Sequence, residues 1–222
     1  MDQGHPVDAV IFDMDGVIVD SEPVWDAVRR DFVRERDGRW VPDSHRQMMG
    51  MSTAEWSRYM ATELGVPMPA EAIAAEVIDR MATRYAAALP LIPGAPEAIG
   101  RIAARWPLGL ASSSPPSLIE TVLRRAAIAG LFQVTISTEE VPRGKPAPDV
   151  YLAACERLGV GPARCVAAED SSNGVHAAAA AGMRVVAVPR PEHPLDNDAE
   201  QESAVVLSGV QDLKPMLIDQ LM

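Results

Sequence analysis

Four stretches of this chain place acids, hydroxyls or a lysine at the end of a short apolar run or in the loop beyond one. Asp13 and Asp15 stand two residues apart in Phe12-Asp13-Met14-Asp15-Gly16. A carboxylate pair at that spacing can bind a cation, act as nucleophile and acid/base, or cap a turn. It does not fit the calcium loop of a helix–loop–helix, which needs glycine at its sixth position and more oxygens after it. Ser112 and Ser113 lie in Ala111-Ser112-Ser113-Ser114-Pro115, where hydroxyls and amides near a helix start can hold an anion or cap the helix. Lys145 lies in Pro142-Arg143-Gly144-Lys145-Pro146-Ala147-Pro148, and 18 of the 20 basic residues are arginine. A chain that otherwise uses arginine, yet sets lysine in a proline-stiffened loop, suggests a need for a compact point charge. Glu169 and Asp170, in Ala168-Glu169-Asp170-Ser171-Ser172-Asn173-Gly174, could cap the next helix or join the first acidic pair.

These groups need elements to position them. Residues 7–12, 108–111, 134–136, 165–168 and 185–188 read as continuous apolar strands, the pattern of a parallel sheet covered on both faces. Helical spacing runs through 96–105, 117–127, 149–158 and 175–181, with Gly159 and Gly182 as C-terminal stop signals. Repeated strand–helix units predict an α/β, doubly wound, Rossmann-like parallel sheet. Ligands of such sheets bind beyond the carboxyl ends of the strands, where all four stretches fall. Between residues 21 and 90 the alternation stops. About four helical segments, including 25–36, 53–64 and 71–88, carry three of the four tryptophans and six of the eleven methionines. They predict a small all-helical domain over residues 21–90, inserted after the first strand into an α/β core of residues 1–20 and 91–222.

Composition excludes several classes. The chain has 222 residues, 48% of them hydrophobic, so neither disorder nor a disulfide or metal staple is expected. A formal charge of −11 argues against nucleic acid and anionic lipid as partners. No apolar run reaches membrane-spanning length, and the first ten residues lack the basic and apolar regions of a signal peptide. Cys155 and Cys165 form no CxxC, which suits buried, reduced thiols in a cytoplasmic protein.

Converging acids, hydroxyls and one lysine suit phosphoryl transfer: carboxylates hold a hard divalent cation while Ser and Lys neutralise phosphate oxygens. Asp13-Met14-Asp15-Gly16-Val17, Ser112, Lys145-Pro146 and Glu169-Asp170 resemble, in order, the four motifs of the haloacid dehalogenase superfamily, and the helical insert resembles its small cap. Asp20-Ser21-Glu22-Pro23 and Glu169-Asp170-Ser171-x-Asn173-Gly174 bring it nearest the sugar-phosphate phosphatases and β-phosphoglucomutases. The resemblance implies a nucleophile at Asp13, an acid/base at Asp15, and phosphate contacts from Ser112, the Ser113 amide and Lys145. It implies Mg²⁺ held by Asp13, the Asp15 main-chain carbonyl and Asp170, with Glu169 near or in its shell. The substrate would be a small phosphate ester, and a monomer is compatible with that chemistry. The cap departs from the mutase pattern: Trp25 replaces a histidine, and Met49 and Thr53 replace a lysine and an arginine. Hydrolysis is therefore expected rather than mutation, with Arg46 and Arg58 the nearest replacement cations. A phospho-accepting receiver domain is the alternative of another class, though receivers lack a helical cap and are about half as long.

Overall fold

The computed structural model describes residues 7–221; the beginning of the chain, where no signal peptide is expected, lies outside them. Six parallel strands form one sheet: β1 (Ala9–Phe12), β2 (Leu108–Ser112), β3 (Phe132–Ser137), β4 (Cys165–Glu169), β5 (Arg184–Ala187) and β6 (Val205–Val206), in the order β3-β2-β1-β4-β5-β6. The chain winds outward from β1 in both directions, so the sheet has its topological switch point at β1 between β2 and β4. Register places Phe12 beside Leu110 and Ala168, which brings the loops after these three strands to one edge.

Side-chain alternation divides the sheet between two apolar clusters, the second of them richer in alanine. Val10, Phe12, Leu108, Leu110, Val166 and Val186 point into the larger apolar cluster. Ala9, Ala111, Ala167 and Ala187 point the other way, against α7 (Asp149–Leu158) and the alanine-rich α8 (Ser172–Ala180). Small residues on both surfaces let helix and sheet approach closely. Gly159 and Gly182 do adopt left-handed backbone at φ 71° and 85° after α7 and α8.

Between β1 and β2 the described chain is helical: α1 (Glu22–Glu35), α2 (Ser44–Met48), α3 (Thr53–Thr62), α4 (Ala70–Ala87) and α5 (Ala95–Ala103). The first four form the predicted helical layer, and α5 packs on the sheet. A capping box fixes the start of α3: Glu55 N–H donates to Ser52 Oγ at 3.3 Å and Ser52 N–H to Glu55 Oε2 at 2.8 Å. The remaining helices are α6 (Pro116–Arg125), α9 (Asn197–Glu202) and α10 (Pro215–Asp219). One expectation needs correction, and one strand was not foreseen. β3 extends beyond residues 134–136 and is half-exposed, with Gln133 and Thr135 facing solvent, because it is a sheet edge rather than a doubly covered strand. The two-residue β6 carries too little pattern to be read from sequence.

Candidate active site

Asp13 and Asp15 follow β1, and Gly16 turns the chain away at φ 77°. A methyl group at Gly16 would lie 1.7 Å from Asp170 Oδ2, so the missing side chain is what lets the β1 and β4 loops approach. Neither Ser112 nor Ser113, nor any of the four acids, is spent on helix capping here. No side chain caps α6, which begins at Pro116, whereas Ser171 Oγ caps α8 by accepting from Gly174 N–H at 3.2 Å. The sequence alternative that Glu169 or Asp170 serves as that cap is thereby corrected: the neighbouring hydroxyl does it.

Lys145 reaches the sheet from the loop after β3. Its Nζ donates to Asp13 Oδ1 at 2.6 Å, Glu169 Oε1 at 2.5 Å and the Ala111 carbonyl at 3.0 Å. All three hydrogens of the ammonium are used, and the side chain is 7% exposed. Ser114 Oγ donates to Asp15 Oδ2 at 2.8 Å and Ser112 Oγ to the same atom at a long 3.3 Å, while Asp15 Oδ1 is buried without a partner. Glu169 is saturated: Lys145 and Tyr151 donate to Oε1, and the Asp170 and Ser171 amides to Oε2. Tyr151 Oη–H lies 2.7 Å from Glu169 Oε1, a contact the sequence did not suggest. Among the described residues, none donates a hydrogen bond to the Asp170 carboxylate.

One oxygen each from Asp13, Glu169 and Asp170 can lie within 4.8 Å of one another, a geometry that could hold a metal ion. Burial pushes the Asp13 carboxyl up to about 8, with Glu169 and Asp15 adding to the effect against the pull of Lys145. Burial and the same acidic neighbours hold Asp170 well above the usual range. Three clustered acids facing one ammonium leave negative charge that a hard, oxygen-seeking divalent cation would neutralise. The donor set therefore fits Mg²⁺, with the unoccupied Asp170 oxygens and the second Asp13 oxygen available.

These groups open onto a cavity of about 560 Å³ between the sheet edge and the helical layer. Asp13, Asp15, Ser113, Lys145 and Asp170 line it from below, while Ser112, fully buried, and Glu169 lie behind its wall. Trp25, Met49 and Thr53 line it from above, as does Arg46, whose side chain is 80% exposed and paired with Asp43 at 2.9 Å. Arg58 is not on the wall. Among the wall groups that the sequence reading did not name as site residues are the charged pair Glu22 and Arg29, both on α1, and Glu192 and His193. The spacing of Glu22 and Arg29 from Trp25 places all three on one helical face, but nothing in the sequence alone turns that face toward the strand ends.

Residues 7–182 match the family model of the haloacid dehalogenase-like hydrolases. The chain is 36% identical over 208 residues to hexitol phosphatase B of Escherichia coli O157:H7, covering 91% of this chain and 90% of the relative. It is 36% identical over 180 residues to the phosphorylated carbohydrates phosphatase of Thermotoga maritima, covering 80% and 82%. A crystal structure of β-phosphoglucomutase from Clostridium difficile superposes with a TM-score of 0.80 over 97% of this chain and 96% of that one; at 22% identity this is a likeness of fold.

Proposed function

The chain belongs to the haloacid dehalogenase-like hydrolases, and from that premise we propose that it is a Mg²⁺-dependent phosphatase of small sugar or polyol phosphates, working through an aspartyl phosphate. The observation that carries the proposal is Lys145 Nζ at 2.6 Å from Asp13 Oδ1 on the cavity wall, beside the free Asp170 carboxylate. Residues 21–90 act as the cap over a core of residues 1–20 and 91–222. The polyol and sugar substrates named for the two phosphatase relatives support the substrate class.

Asp13 attacks phosphorus with one carboxylate oxygen while Lys145 holds the other. Asp15, steadied by Ser114, donates a proton to the departing alcohol oxygen and then takes one from the hydrolytic water. The Ser113 amide and Lys145 face the transferring oxygens. Ser112 joins them, since its 3.3 Å contact to Asp15 is the weaker of the two serine contacts and the easier to exchange. Mg²⁺, held by Asp13, Asp170 and the Asp15 main-chain carbonyl, would supply charge neutralisation between carboxylate and phosphate. Glu169, with both oxygens occupied, stands behind Lys145 and fixes its position. In so diffuse a transition state, positioning and charge are the main contributions.

Hydrolysis is favoured over mutation because Met49 and Thr53 bring no charge to the wall and Arg46 is paired with Asp43. The test follows phosphorus NMR of a hexitol 6-phosphate and of β-glucose 1-phosphate with catalytic glucose 1,6-bisphosphate. Many phosphates released per chain with Mg²⁺, none in excess chelator, and none from a folded Asp13→Asn protein are expected. Full turnover in chelator, wild-type rates in Asp13→Asn, or glucose 6-phosphate as the main product would each defeat it. Stoichiometric phosphoprotein without turnover would instead indicate a receiver.

A further inference from the structure

Arg29 is 5% exposed, yet no carboxylate among the described residues pairs with it and its Nε is buried without a hydrogen-bond partner. The guanidinium sits against two indoles that adjoin each other, its carbon 4.4 Å from the Trp25 ring centroid and 4.9 Å from that of Trp56, the two centroids being 6.0 Å apart. Such stacking steadies the plane but satisfies none of its N–H groups in the plane. Two turns back on the same helix face, Glu22 presents a carboxylate whose Oε2 is likewise buried without a hydrogen bond, its one polar contact being His45 Nε2 at ion-pair distance, 3.4 Å. Both side chains line the cavity that holds Asp13 and Asp15. Buried polar atoms left without partners are rare and expensive. Here two oppositely charged side chains that line the wall opposite the acids hold polar atoms without hydrogen bonds.

Resting on the phosphatase reading above, we propose that Glu22 and Arg29 are the specificity pair for the leaving group: they read hydroxyls of a polyhydroxylated alcohol and reject a second anion. A hydroxyl both donates and accepts, so one hydroxyl or two neighbouring ones can satisfy the Glu22 oxygen and the Arg29 N–H together. The pair is balanced in charge. A second phosphate drawn to Arg29 would also have to approach Glu22, and the other cavity cation of the cap, Arg46, is already paired with Asp43. Arg29 thus occupies the cap without becoming the missing bisphosphate grip. The two adjoining indoles packed against it restrict its movement, which leaves its N–H groups preorganised for neutral oxygens.

The experiment measures kcat/KM for a hexitol 6-phosphate, for n-hexyl phosphate, which lacks the hydroxyls, and for a hexitol 1,6-bisphosphate. In Glu22→Ala and Arg29→Met the preference for the hexitol ester over the hexyl ester should fall by about 10- to 100-fold. Glu22→Ala should also raise the bisphosphate-to-monophosphate ratio by about 10-fold, since Arg29 is then unopposed, whereas Arg29→Met should not. Either ratio staying at its wild-type value in Glu22→Ala overturns the proposal. Should Arg29→Met fail to fold, the two ratios of Glu22→Ala, a change at a partly exposed position, decide alone. Wild-type protein that releases phosphate from none of the three esters overturns the phosphatase reading, and this inference with it.

Discussion

On the sheet side of the cavity Lys145 is shared by Asp13, Glu169 and a main-chain carbonyl at 2.5 to 3.0 Å. On the helical side Arg29 packs against two adjoining indole rings and forms no ion pair among the described residues, and Glu22 Oε2 makes no hydrogen bond, only a 3.4 Å approach to His45. Both cations are buried and both walls hold acids, so the difference is one of satisfaction rather than of composition. A saturated network holds its members in a single arrangement, as fixed in-line chemistry needs. An open pair keeps its hydrogen-bonding capacity for something that arrives. The same α/β frame thus separates the invariant part of the reaction from the part that chooses a substrate.

The comparison breaks most sharply at Lys145. Lys145→Met leaves Asp13 and Glu169 buried without their cation, at a cost of about 3–5 kcal/mol. For a chain of this size that corresponds to a Tm lower by roughly 6–20 °C. It should also lower kcat/KM by about 10²- to 10³-fold, because the cation facing the transferring oxygens is gone. Added Mg²⁺ should recover part of the Tm but little of the rate. Thermal melts with and without Mg²⁺, beside steady-state kinetics, check both; an unchanged Tm would mean that the network is not what holds this edge together.

Arg29→Met gives the smaller counterpart. It breaks no ion pair, and gives up cation–π contacts worth about 1–2 kcal/mol while relieving a buried charge. Burial already holds the guanidinium down at about 10, Glu22 opposing, which indicates how poorly the site solvates it. A Tm drop of no more than about 4 °C is expected. A fall as large as that of Lys145→Met would erase the distinction between a structural cation and a waiting one.

The same contrast explains what could be read from sequence. Asp13, Asp15, Lys145, Glu169 and Asp170 follow apolar strands, or sit in the loop just beyond one, and a parallel sheet carries everything at those ends to one edge whatever its finer geometry. Continuous apolar runs, and the rule that ligands of a parallel sheet bind at the carboxyl ends of its strands, were therefore enough to gather them. Glu22 and Arg29 sit on an amphipathic helix, where a charged residue on an exposed face and one aimed at a cavity look alike until the helix is docked. Arg46 and Arg58 were the nearer guesses along the chain, yet one is paired at the rim and the other is off the wall. Trp25 and Arg29 at i,i+4 were the available hint, incomplete without Trp56 arriving from α3. The edge strand β3 was cut short because it was sought as a continuous apolar run, whereas a strand covered on one side alternates, as Phe132-Gln133-Val134-Thr135-Ile136-Ser137 does; the two-residue β6 is too short to show any period.

The smallest effect sharpens the comparison from the helical side. Glu22 is pushed up to about 7, first by burial, with Arg29 opposing and Asp15, Asp20 and Asp26 adding to the rise. In the unfolded chain this carboxyl titrates near 4.5. Below that pH both states hold the proton; as pH climbs to about 7 the unfolded state has lost it first, so the contribution of Glu22 to stability is lost over that window and changes little above it. His45, 3.4 Å away and held below its usual value by burial, acts in the opposite direction at the top of the window, because its neutral form is the one the fold prefers. Glu22→Gln removes the carboxyl titration and keeps the shape. The acids of the sheet side titrate in both proteins and largely cancel in the difference. The Tm of Glu22→Gln minus that of wild type, measured in chelator from pH 4.5 to pH 8, should therefore rise with pH and level off above about 7. Its total span should be only about 2 °C, since the Glu22 side chain is 34% exposed and water screens much of the effect. A flat difference would mean that Glu22 is as well satisfied as Glu169, and the open pair would then have to be sought in Arg29 alone.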